Sequence, residues 1–132
     1  MNKRLLWLSI ILGMMAVLLQ ACEFNVSTAS ISNAKLASDS AGATETTVFK
    51  SDQTFYYIVN LANAPDSTKV KAVWYKIDDA GTAAQFVEKE IVGGGSPITF
   101  NATNSNPWPA GKYKVELYLN DKLDRTQEYT VQ

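Results

Sequence analysis

The stretch WPAGKYKVELYLND, residues 108–121, decides the fold class of this chain. Apolar and polar positions alternate from residue 112 to residue 119, and a period of two is typical of a β-strand that buries one face. Asn120 and Asp121 follow the strand, and both residue types tolerate the positive φ of a two-residue hairpin turn. Pro107 and Pro109 precede it and exclude a central strand there, which predicts a corner. The strand is predicted to point Tyr113, Val115, Leu117 and Leu119 inward, and Lys112, Lys114, Glu116 and Tyr118 outward.

Short apolar and aromatic segments of the same kind recur along the chain on both sides of this strand. They lie at residues 31–36, 54–61, 68–77, 85–92, 98–102 and 123–131. The stretches between them are rich in Gly, Pro, Asn, Asp and Ser, which are turn formers. After the N-terminal region, no segment has the caps and the 3.6-residue period of a helix. The sequence therefore predicts seven strands in one all-β domain, residues 30–132, with Trp74 of the third strand in its core.

Length and composition limit the chain to one domain with little catalytic chemistry. The chain has 132 residues and a formal net charge of −1, with one cysteine and no histidine. A single cysteine forms no intramolecular disulfide, and the lack of histidine removes the commonest metal ligand and general base. A surplus of basic residues would indicate a nucleic-acid partner, and this chain has none. We therefore expect a domain that is not an enzyme, holds no metal or cofactor, and does not bind nucleic acid.

The N-terminal region carries an export pattern. Two basic residues precede an apolar run, residues 5–19, that contains no charge. This run is shorter than the roughly 20 residues of a membrane-spanning helix, which favours a cleaved signal peptide over a permanent anchor. Ala21 stands directly before the only cysteine, Cys22, and the chain then becomes polar. The sequence predicts a signal helix over residues 1–21 that is removed from the mature protein.

The segment Leu19-Gln20-Ala21-Cys22 resembles the processing box of bacterial lipoproteins. The resemblance implies cleavage before Cys22 and attachment of lipid, including palmitate, at that cysteine; the alternative is an ordinary free thiol after a conventional cleavage site. Residues 22–29 would then form a lipidated tether. Glu23 directly after the cysteine, rather than Asp, resembles lipoproteins that are sent on to the outer membrane in double-membrane bacteria. An extended chain covers at most about 3.6 Å per residue, so residues 23–29 reach about 25 Å and keep the domain near its membrane.

The domain after the tether resembles the immunoglobulin and fibronectin type III β-sandwiches. The resemblance is carried by seven short strands, by Trp74 on the third strand, and by Tyr113 entering the sixth strand after a corner. It implies a Greek-key sandwich in which the third, sixth and seventh strands lie in one sheet. It also implies a tyrosine corner, in which the hydroxyl of Tyr113 bonds to the loop around Trp108. The inter-sheet disulfide of antibody domains is missing, and Val115 is apolar where a cysteine would lie.

Three other patterns invite a chemical interpretation, and each has a simpler structural one. Gly93-Gly94-Gly95-Ser96 is as glycine-rich as a phosphate-binding loop, but a proline and a strand follow it, which favours a hairpin turn. Glu88 and Glu90 share a strand face and Asp78 and Asp79 are adjacent, so these pairs would suit carboxylate catalysis or calcium binding. Neither pair has the ligand spacing of a known loop, so a solvated strand face and a turn are favoured.

The best candidate for a functional site is an outer face of the sandwich. If the third strand pairs with the sixth, Val73, Tyr75 and Ile77 point away from the core beside Tyr118. Tyrosine is favoured at protein interfaces because it offers a large rigid ring with a polar tip. Trp108 is a further candidate, either packed under the loops or projecting from one end. The alternative is that these side chains are scattered and are covered by the stems of neighbouring lysines.

These observations lead us to expect a lipid-anchored envelope protein whose sandwich binds another protein, as an accessory subunit or an adhesive module. A passive structural spacer is an alternative from a different class. A third possibility is a carbohydrate or a small hydrophobic ligand stacked on Trp108, Tyr75 and Tyr118. A stacking site would leave these rings exposed in a row, whereas a spacer would expose no contiguous apolar patch.

Overall fold

The structure, a computed structural model, describes residues 28–132 of the chain. The predicted signal helix over residues 1–21, the lipid attachment residue Cys22 and most of the predicted tether lie outside the described residues. Within residues 28–132 the regular secondary structure consists of β-strands in two sheets. The prediction of an all-β domain is confirmed.

Eight strands build the two sheets. They are β1 (Ser30–Ala37), β2 (Val48–Phe49), β3 (Phe55–Ala62), β4 (Lys69–Ile77), β5 (Ala83–Val92), β6 (Ile98–Ala102), β7 (Gly111–Leu119) and β8 (Lys122–Val131). One sheet has three strands in the order β1-β3-β6, and the other has five in the order β2-β8-β7-β4-β5. Every pair is antiparallel except β2 with β8. The third, sixth and seventh predicted strands, which are β4, β7 and β8, lie side by side as expected.

The predicted count of seven strands is corrected to eight for residues 28–132. The additional strand, β2, has two residues and pairs in parallel with the end of β8, Val48 opposite Thr130 and Phe49 opposite Val131. Two residues carry no periodicity, so no pattern in the sequence marks this strand. The seven predicted strands are all present, with bounds that differ by at most two residues.

The core lies between the two sheets, and alternation along the central strands places one strand face in it. Along β7, Tyr113, Val115 and Leu117 are buried, whereas the residues between them stay partly exposed. Trp74 of β4 is fully buried, which confirms its predicted place in the core. Burial of this apolar surface is the main favourable term in folding. The other large core side chains include Leu36, Phe49, Phe55, Tyr57, Val59, Val70, Phe100, Trp108, Tyr129 and Val131.

An aromatic cluster fills the core at the end of the sandwich opposite to the start of β1. The ring of Phe55 stacks on Trp108 with centroids 4.7 Å apart, and it meets Phe49 and Tyr129 edge-on, each at 4.9 Å. Tyr113 stacks on Tyr129 at 5.4 Å. Ring pairs of this kind contribute about 0.5–1.5 kcal/mol each beyond their buried area, so this end of the core is held by ring geometry as well as by apolar burial.

The corner before β7 is tied down by two hydrogen bonds. The hydroxyl of Tyr113 donates to the carbonyl of Pro109 at 2.6 Å, which is the contact with the loop around Trp108 that the resemblance implied. Trp108 itself donates through Nε1 to the carbonyl of Gln53 at 2.9 Å and is buried. The sequence left open whether Trp108 is packed under the loops or projects from the end of the sandwich. In the structure it is packed under the loops.

The turns follow the sequence in two places and depart from it in a third. Asn120 and Asp121 have φ of 49° and 67°, as expected for the hairpin between β7 and β8. Asp78 accepts two hydrogen bonds from backbone N–H groups of its own turn, which confirms the turn interpretation of the acidic pair. The glycine-rich residues 93–96 join β5 to β6, and these strands belong to different sheets. The hairpin predicted there is wrong, because the stretch crosses from one sheet to the other.

Charged side chains connect the two sheets along both open sides of the sandwich. Arg125 of β8 donates through Nη2 to the carbonyl of Ile31 in β1 at 3.1 Å. Lys89 of β5 donates through Nζ to Asn101 of β6 at 2.6 Å. A charge directed inward at a sheet edge discourages pairing with a strand of another chain. Both sides are therefore protected by residues that also hold the sheets together.

Candidate functional site

The outer face of the five-stranded sheet is built from alternate residues of β4 and β7. The directly opposite pairs are Lys71 with Tyr118, Val73 with Glu116, and Tyr75 with Lys114. Opposite residues in an antiparallel pair have Cβ atoms about 4.5–5.5 Å apart, so their side chains touch. Tyrosines and charged groups therefore alternate over this face, and Glu116 lies between Tyr75 and Tyr118.

Four side chains form a connected group here, which we call the Glu116 cluster: Tyr75, Lys114, Glu116 and Tyr118. Oε1 of Glu116 accepts a hydrogen bond from Nζ of Lys114 at 2.7 Å, and Oε2 accepts one from the hydroxyl of Tyr118 at 2.8 Å. The side chains of Lys114 and Glu116 are only 23% and 14% exposed, so solvent screens this ion pair less than an ordinary surface pair.

Lysine ammonium groups lie over both tyrosine rings of the cluster. Nζ of Lys114 is 4.8 Å from the ring centroid of Tyr75, and Nζ of Lys71 is 4.8 Å from that of Tyr118. Cations at this distance are attracted to the negative ring face by about 0.5–1 kcal/mol at exposed sites. Each ring is thus restrained in orientation by a neighbouring charge.

The cluster shifts the pKa of three groups. Burial acts to raise the pKa of Glu116, but the hydrogen bonds from Lys114 and Tyr118 outweigh it and hold that pKa below its ordinary value. The hydrogen bond to Glu116 raises the pKa of Tyr118 to about 12. Burial, followed by the charge of Glu116, raises the pKa of Tyr75. At neutral pH the cluster therefore holds an ionised carboxylate between two neutral phenols, and none of these three groups is poised to exchange a proton.

The structure brings together only part of the predicted binding face. Tyr75, Ile77 and Tyr118 share the outer face and are half-buried. Val73 is a correction: it lies on the same strand face but is only 3% exposed, between its cross-strand neighbours Glu88 and Glu116. Its side chain is covered, so it offers no contact area to a partner. The sequence placed Glu116 on this face but did not identify it as the centre, because its partners come from two strands.

Trp108 is separate from this face, and of the two positions that the sequence left open the structure shows the packed one. It is buried at the corner before β7, where it stacks on Phe55 and lies 5.2 Å from the ring of Phe86. Its indole N–H is already satisfied by the carbonyl of Gln53. The ring contributes to the core and presents no open face to a ligand.

The remaining sequence patterns lie in turns, in a crossing between the sheets and on an exposed strand face. Residues 28–132 contain no group of three or more His, Cys, Asp or Glu side chains placed to hold a metal ion. Glu88 accepts a hydrogen bond from Gln85 at 3.0 Å and is exposed, as expected of a solvated strand face. The glycine-rich crossing is followed by β6, so it lacks the helix that a phosphate-binding loop requires.

A second surface, which the sequence analysis missed, lies at the end of the sandwich where β1 begins. We call it the tether end. Thr28 contacts the carbonyl of Asn63 there, and Ala29 lines a shallow depression together with residues of the β7–β8 hairpin. Val92 and Leu123 flank its turns and are 60% and 48% exposed. The signal in the sequence was an apolar residue within two positions of a turn in each case.

No helix in residues 28–132 has the length and apolar character needed to cross a membrane. The predicted attachment residue Cys22 lies before these residues, so the lipid anchor stays a prediction from the sequence.

Comparison with known proteins shows a solved structure with a similar fold, and it assigns this chain to no family. No protein-family model matches the chain, and no curated protein matches it. Among solved structures, the chain is similar to the alkylpurine DNA glycosylase AlkC of Pseudomonas fluorescens, bound to DNA containing an abasic site analog, with 12% identity and a TM-score of 0.51. The match covers 79% of this chain and 30% of the glycosylase chain. Similarity at this identity shows a shared fold alone, and the DNA in that structure says nothing about partners of this chain.

Proposed function

We propose that this chain is a lipid-anchored protein of the bacterial cell envelope, attached through Cys22, whose immunoglobulin-like sandwich binds another protein. The anchor is supported by the sequence pattern of residues 19–22, and the outer membrane is favoured by Glu23. The immunoglobulin-like class is supported by the buried Trp74, by the hydrogen bond from Tyr113 to the corner, and by sheets of three and five strands. The protein partner would be engaged as an accessory subunit or an adhesive contact.

The Glu116 cluster is the observation that carries the binding proposal. Tyr75 and Tyr118 present partly exposed aromatic surface on a sheet, and the bonds to Glu116 and the lysines hold their side chains in place. Side chains that are already ordered cost less conformational entropy when they become buried in an interface. Tyrosines of this kind are common energetic anchors in protein interfaces. The shifted groups of the cluster titrate away from neutrality, which favours recognition over proton-transfer catalysis.

The two alternatives receive less support from this arrangement. A sugar that stacks on tyrosine needs a free ring face, but lysine ammonium groups lie over the rings of Tyr75 and Tyr118, and Trp108 is buried. A passive spacer needs no ordered cluster on its surface. The spacer makes a different experimental prediction from the binding proposal, since a spacer captures no partner through this face.

The binding face is tested by in-cell crosslinking of the double variant Tyr75→Ala plus Tyr118→Ala. We expect it to lose a crosslinked species that the wild type forms, because both anchors are removed. Tyr56→Ala is the matched control, since Tyr56 is a half-buried tyrosine of β3 in the other sheet. Identical crosslinks in the double variant and the wild type would exclude this face, and the lack of any specific crosslink in the wild type would favour the spacer.

The anchor is tested separately by metabolic labelling with a fatty acid analogue. Cys22→Ser is expected to lose the label and to leave the membrane fraction, because the only cysteine of the chain is removed. Gln20→Ala keeps the cysteine and changes the most tolerant position of the processing box, so it should stay labelled. Persistent labelling of Cys22→Ser would rule out this site of lipid attachment.

A further inference from the structure

Exposed apolar side chains are unevenly distributed between the two ends of the sandwich. In residues 28–132 the exposed large hydrophobic residues are Val48, Ile91, Val92 and Leu123. Val48 lies opposite Thr130, at the end remote from the start of β1. The other three lie at or near the tether end, and Val92 and Leu123 are the two most exposed of all four. Single exposed hydrophobic residues are common, but their concentration at one end calls for a physical reason.

The tether end is one connected surface rather than a set of independent turns. Gly94 packs so closely on the turn after β3 that a Cβ atom there would lie 2.4 Å from the carbonyl oxygen of Ala64. The side chain of Asn120 accepts a hydrogen bond from the backbone N–H of Lys69 at 2.9 Å. The turn after β3, the crossing after β5 and the β7–β8 hairpin are therefore held together, so apolar residues on them move as one unit.

The position of this surface is constrained by the chain that leads to it. Residues 23–29 separate Cys22 from β1, and even fully extended they span no more than about 25 Å. The radius of gyration of a domain of about 100 residues is itself about 13 Å. A lipid on Cys22 would therefore hold the start of β1, and with it the tether end, within about 25 Å of the bilayer.

Val92 and Leu123 are placed to act as two separate contacts with such a surface. They belong to β5 and β8, which are separated by β4 and β7 in the strand order. Three strand spacings of about 4.8 Å put these strands about 14 Å apart. Two apolar contacts at opposite sides of a rigid rim restrict the tilt of the domain, whereas one contact would allow it to pivot.

The charges at the tether end offer no alternative attraction to lipid headgroups. Lys69 forms an ion pair with Asp121, and the exposed Lys122 is balanced by the exposed Asp66. A surface with this balance gains little from anionic lipids, which attract basic clusters. The attraction available here is therefore burial of the aliphatic side chains in the interfacial region.

We propose that the tether end rests on the bilayer that holds Cys22, with Val92 and Leu123 inserted at the level of the headgroups. This inference rests on the lipid anchor of the proposed function. The strands of the sandwich then run away from the membrane. Leu123 lies directly opposite Tyr118, so the Glu116 cluster begins next to the membrane contact and extends away from it along the outer sheet face, where an envelope partner can reach it.

The test uses the full chain, acylated in the cell, purified and reconstituted in phosphatidylcholine vesicles. Acylation blocks the thiol of Cys22, so a cysteine introduced by Val92→Cys, Leu123→Cys or Val48→Cys is the only free thiol for an environment-sensitive fluorophore. Val48, 46% exposed at the far end, is the matched control. We expect a shift to shorter emission wavelength and quenching by nitroxide-labelled lipids at residues 92 and 123, and neither effect at residue 48. Replacing a tenth of the lipid by an anionic one should leave the quenching unchanged.

A second variant checks that the contact is apolar. Leu123→Asp is expected to reduce quenching of the fluorophore at residue 92, because the rim loses one of its two contacts, whereas Val48→Asp should leave it unchanged. Equal quenching at all three positions in the acylated protein would overturn membrane docking and leave the anchor intact, with the apolar rim then free for a protein. Quenching that requires anionic lipid would also overturn it. A chain that is not acylated and does not join the vesicles would overturn both the anchor and the docking.

Discussion

The five-stranded sheet carries tyrosines on both faces, and the surroundings and hydrogen bonding of these tyrosines differ between the two faces. On the inner face, Tyr129 packs among aromatic rings and its hydroxyl has no hydrogen-bond partner. On the outer face, the hydroxyl of Tyr118 donates to Glu116 while a lysine lies over the ring. Burial raises the pKa of Tyr129, whereas the bond to a carboxylate raises that of Tyr118 to about 12.

The comparison separates two sources of order within one sheet. On the inner face, side chains stabilise the fold by burying apolar area. Burial of the Tyr129 ring contributes more than the missing hydrogen bond of its hydroxyl costs, so the unpaired hydroxyl is tolerated. The outer face gains little area and holds its side chains through charge and hydrogen bonds. Substitutions on the inner face should therefore change stability, and substitutions on the outer face should change mainly geometry and binding.

The largest expected effect compares neighbouring residues on opposite faces of β4. Trp74→Ala should lower the free energy of unfolding by about 3–5 kcal/mol, because it removes a fully buried indole from the centre of the core. Val73→Ala removes a smaller side chain that is covered from the solvent side, and should cost about 1.5 kcal/mol. Urea unfolding followed by far-ultraviolet circular dichroism measures both. Equal costs would show that the two faces are not energetically distinct.

Alkaline pH should weaken the core through Tyr57, which enters it from β3 of the three-stranded sheet, opposite the inner face of the five-stranded sheet. Burial raises the pKa of Tyr57 to about 12, although the charge of Arg125 acts in the opposite direction. The folded state favours the neutral phenol, so this contribution is complete below the ordinary pKa of about 10 and is lost as pH rises toward 12, by about 1 kcal/mol near pH 11. Urea unfolding near pH 9 and near pH 11 should show the loss, and Tyr57→Phe should reduce it. An unchanged pH dependence in Tyr57→Phe would contradict the assignment.

A smaller effect compares two inner tyrosines that differ in hydrogen bonding. Tyr113→Phe should lower the free energy of unfolding by about 1 kcal/mol, because it removes the bond to the carbonyl of Pro109. Tyr129→Phe is the matched control, since that hydroxyl is buried without a partner, and its removal should be neutral or stabilising. Thermal unfolding of the two variants measures the difference. The comparison fails if Tyr129→Phe proves the more destabilising change.

The smallest expected effect is on the outer face at acid pH. The pKa of Glu116 is held below its ordinary value of about 4.5, so its stabilising contribution is present above that pH and is lost as pH falls through the lowered value. We expect a contribution below about 1 kcal/mol, because the cluster is partly exposed. Glu116→Gln should reduce the loss of stability on acidification, as measured by urea unfolding at a series of acid pH values. Parallel acid profiles for wild type and Glu116→Gln would contradict this role.

Local patterns in the sequence were sufficient to predict seven of the eight strands in residues 28–132. Alternation over residues 112–119 identified the buried positions of β7, and the corner with Tyr113 was recognisable from Pro109 and the strand that follows. Strand β2 was not predictable, because a two-residue strand exists only through its long-range pairing with β8. The hairpin predicted at the glycine-rich residues was wrong for a related reason, since a turn residue does not indicate which sheet the next strand joins.

The sequence predicted which sheet face carries the candidate site, but it did not predict which side chains of that face are exposed. Period two placed Tyr75 and Tyr118 on an outer face, and the register of β4 with β7 confirmed that they share it. The covering of Val73 depends on Glu88 and Glu116 from two neighbouring strands, and the burial of Trp108 depends on Phe55 and Phe86 from two others. The apolar periodicity of a single strand does not predict contacts of this kind, because they depend on which strands become neighbours.

The parallel pair of β2 and β8 has a geometry that would resist mechanical force along the strands. The N–H groups of Thr130 and Gln132 donate to the carbonyls of Thr47 and Phe49, both at 2.9 Å. Because β1 starts at one end of the sandwich and β8 finishes at the other, tension between residues 29 and 132 pulls β2 and β8 past each other along their length. Bonds perpendicular to a pulling force share it and break together, whereas bonds in line with it open one by one. Two residues that add almost nothing to the sheet area would then act as a mechanical clamp between residue 29 and the far end of the domain.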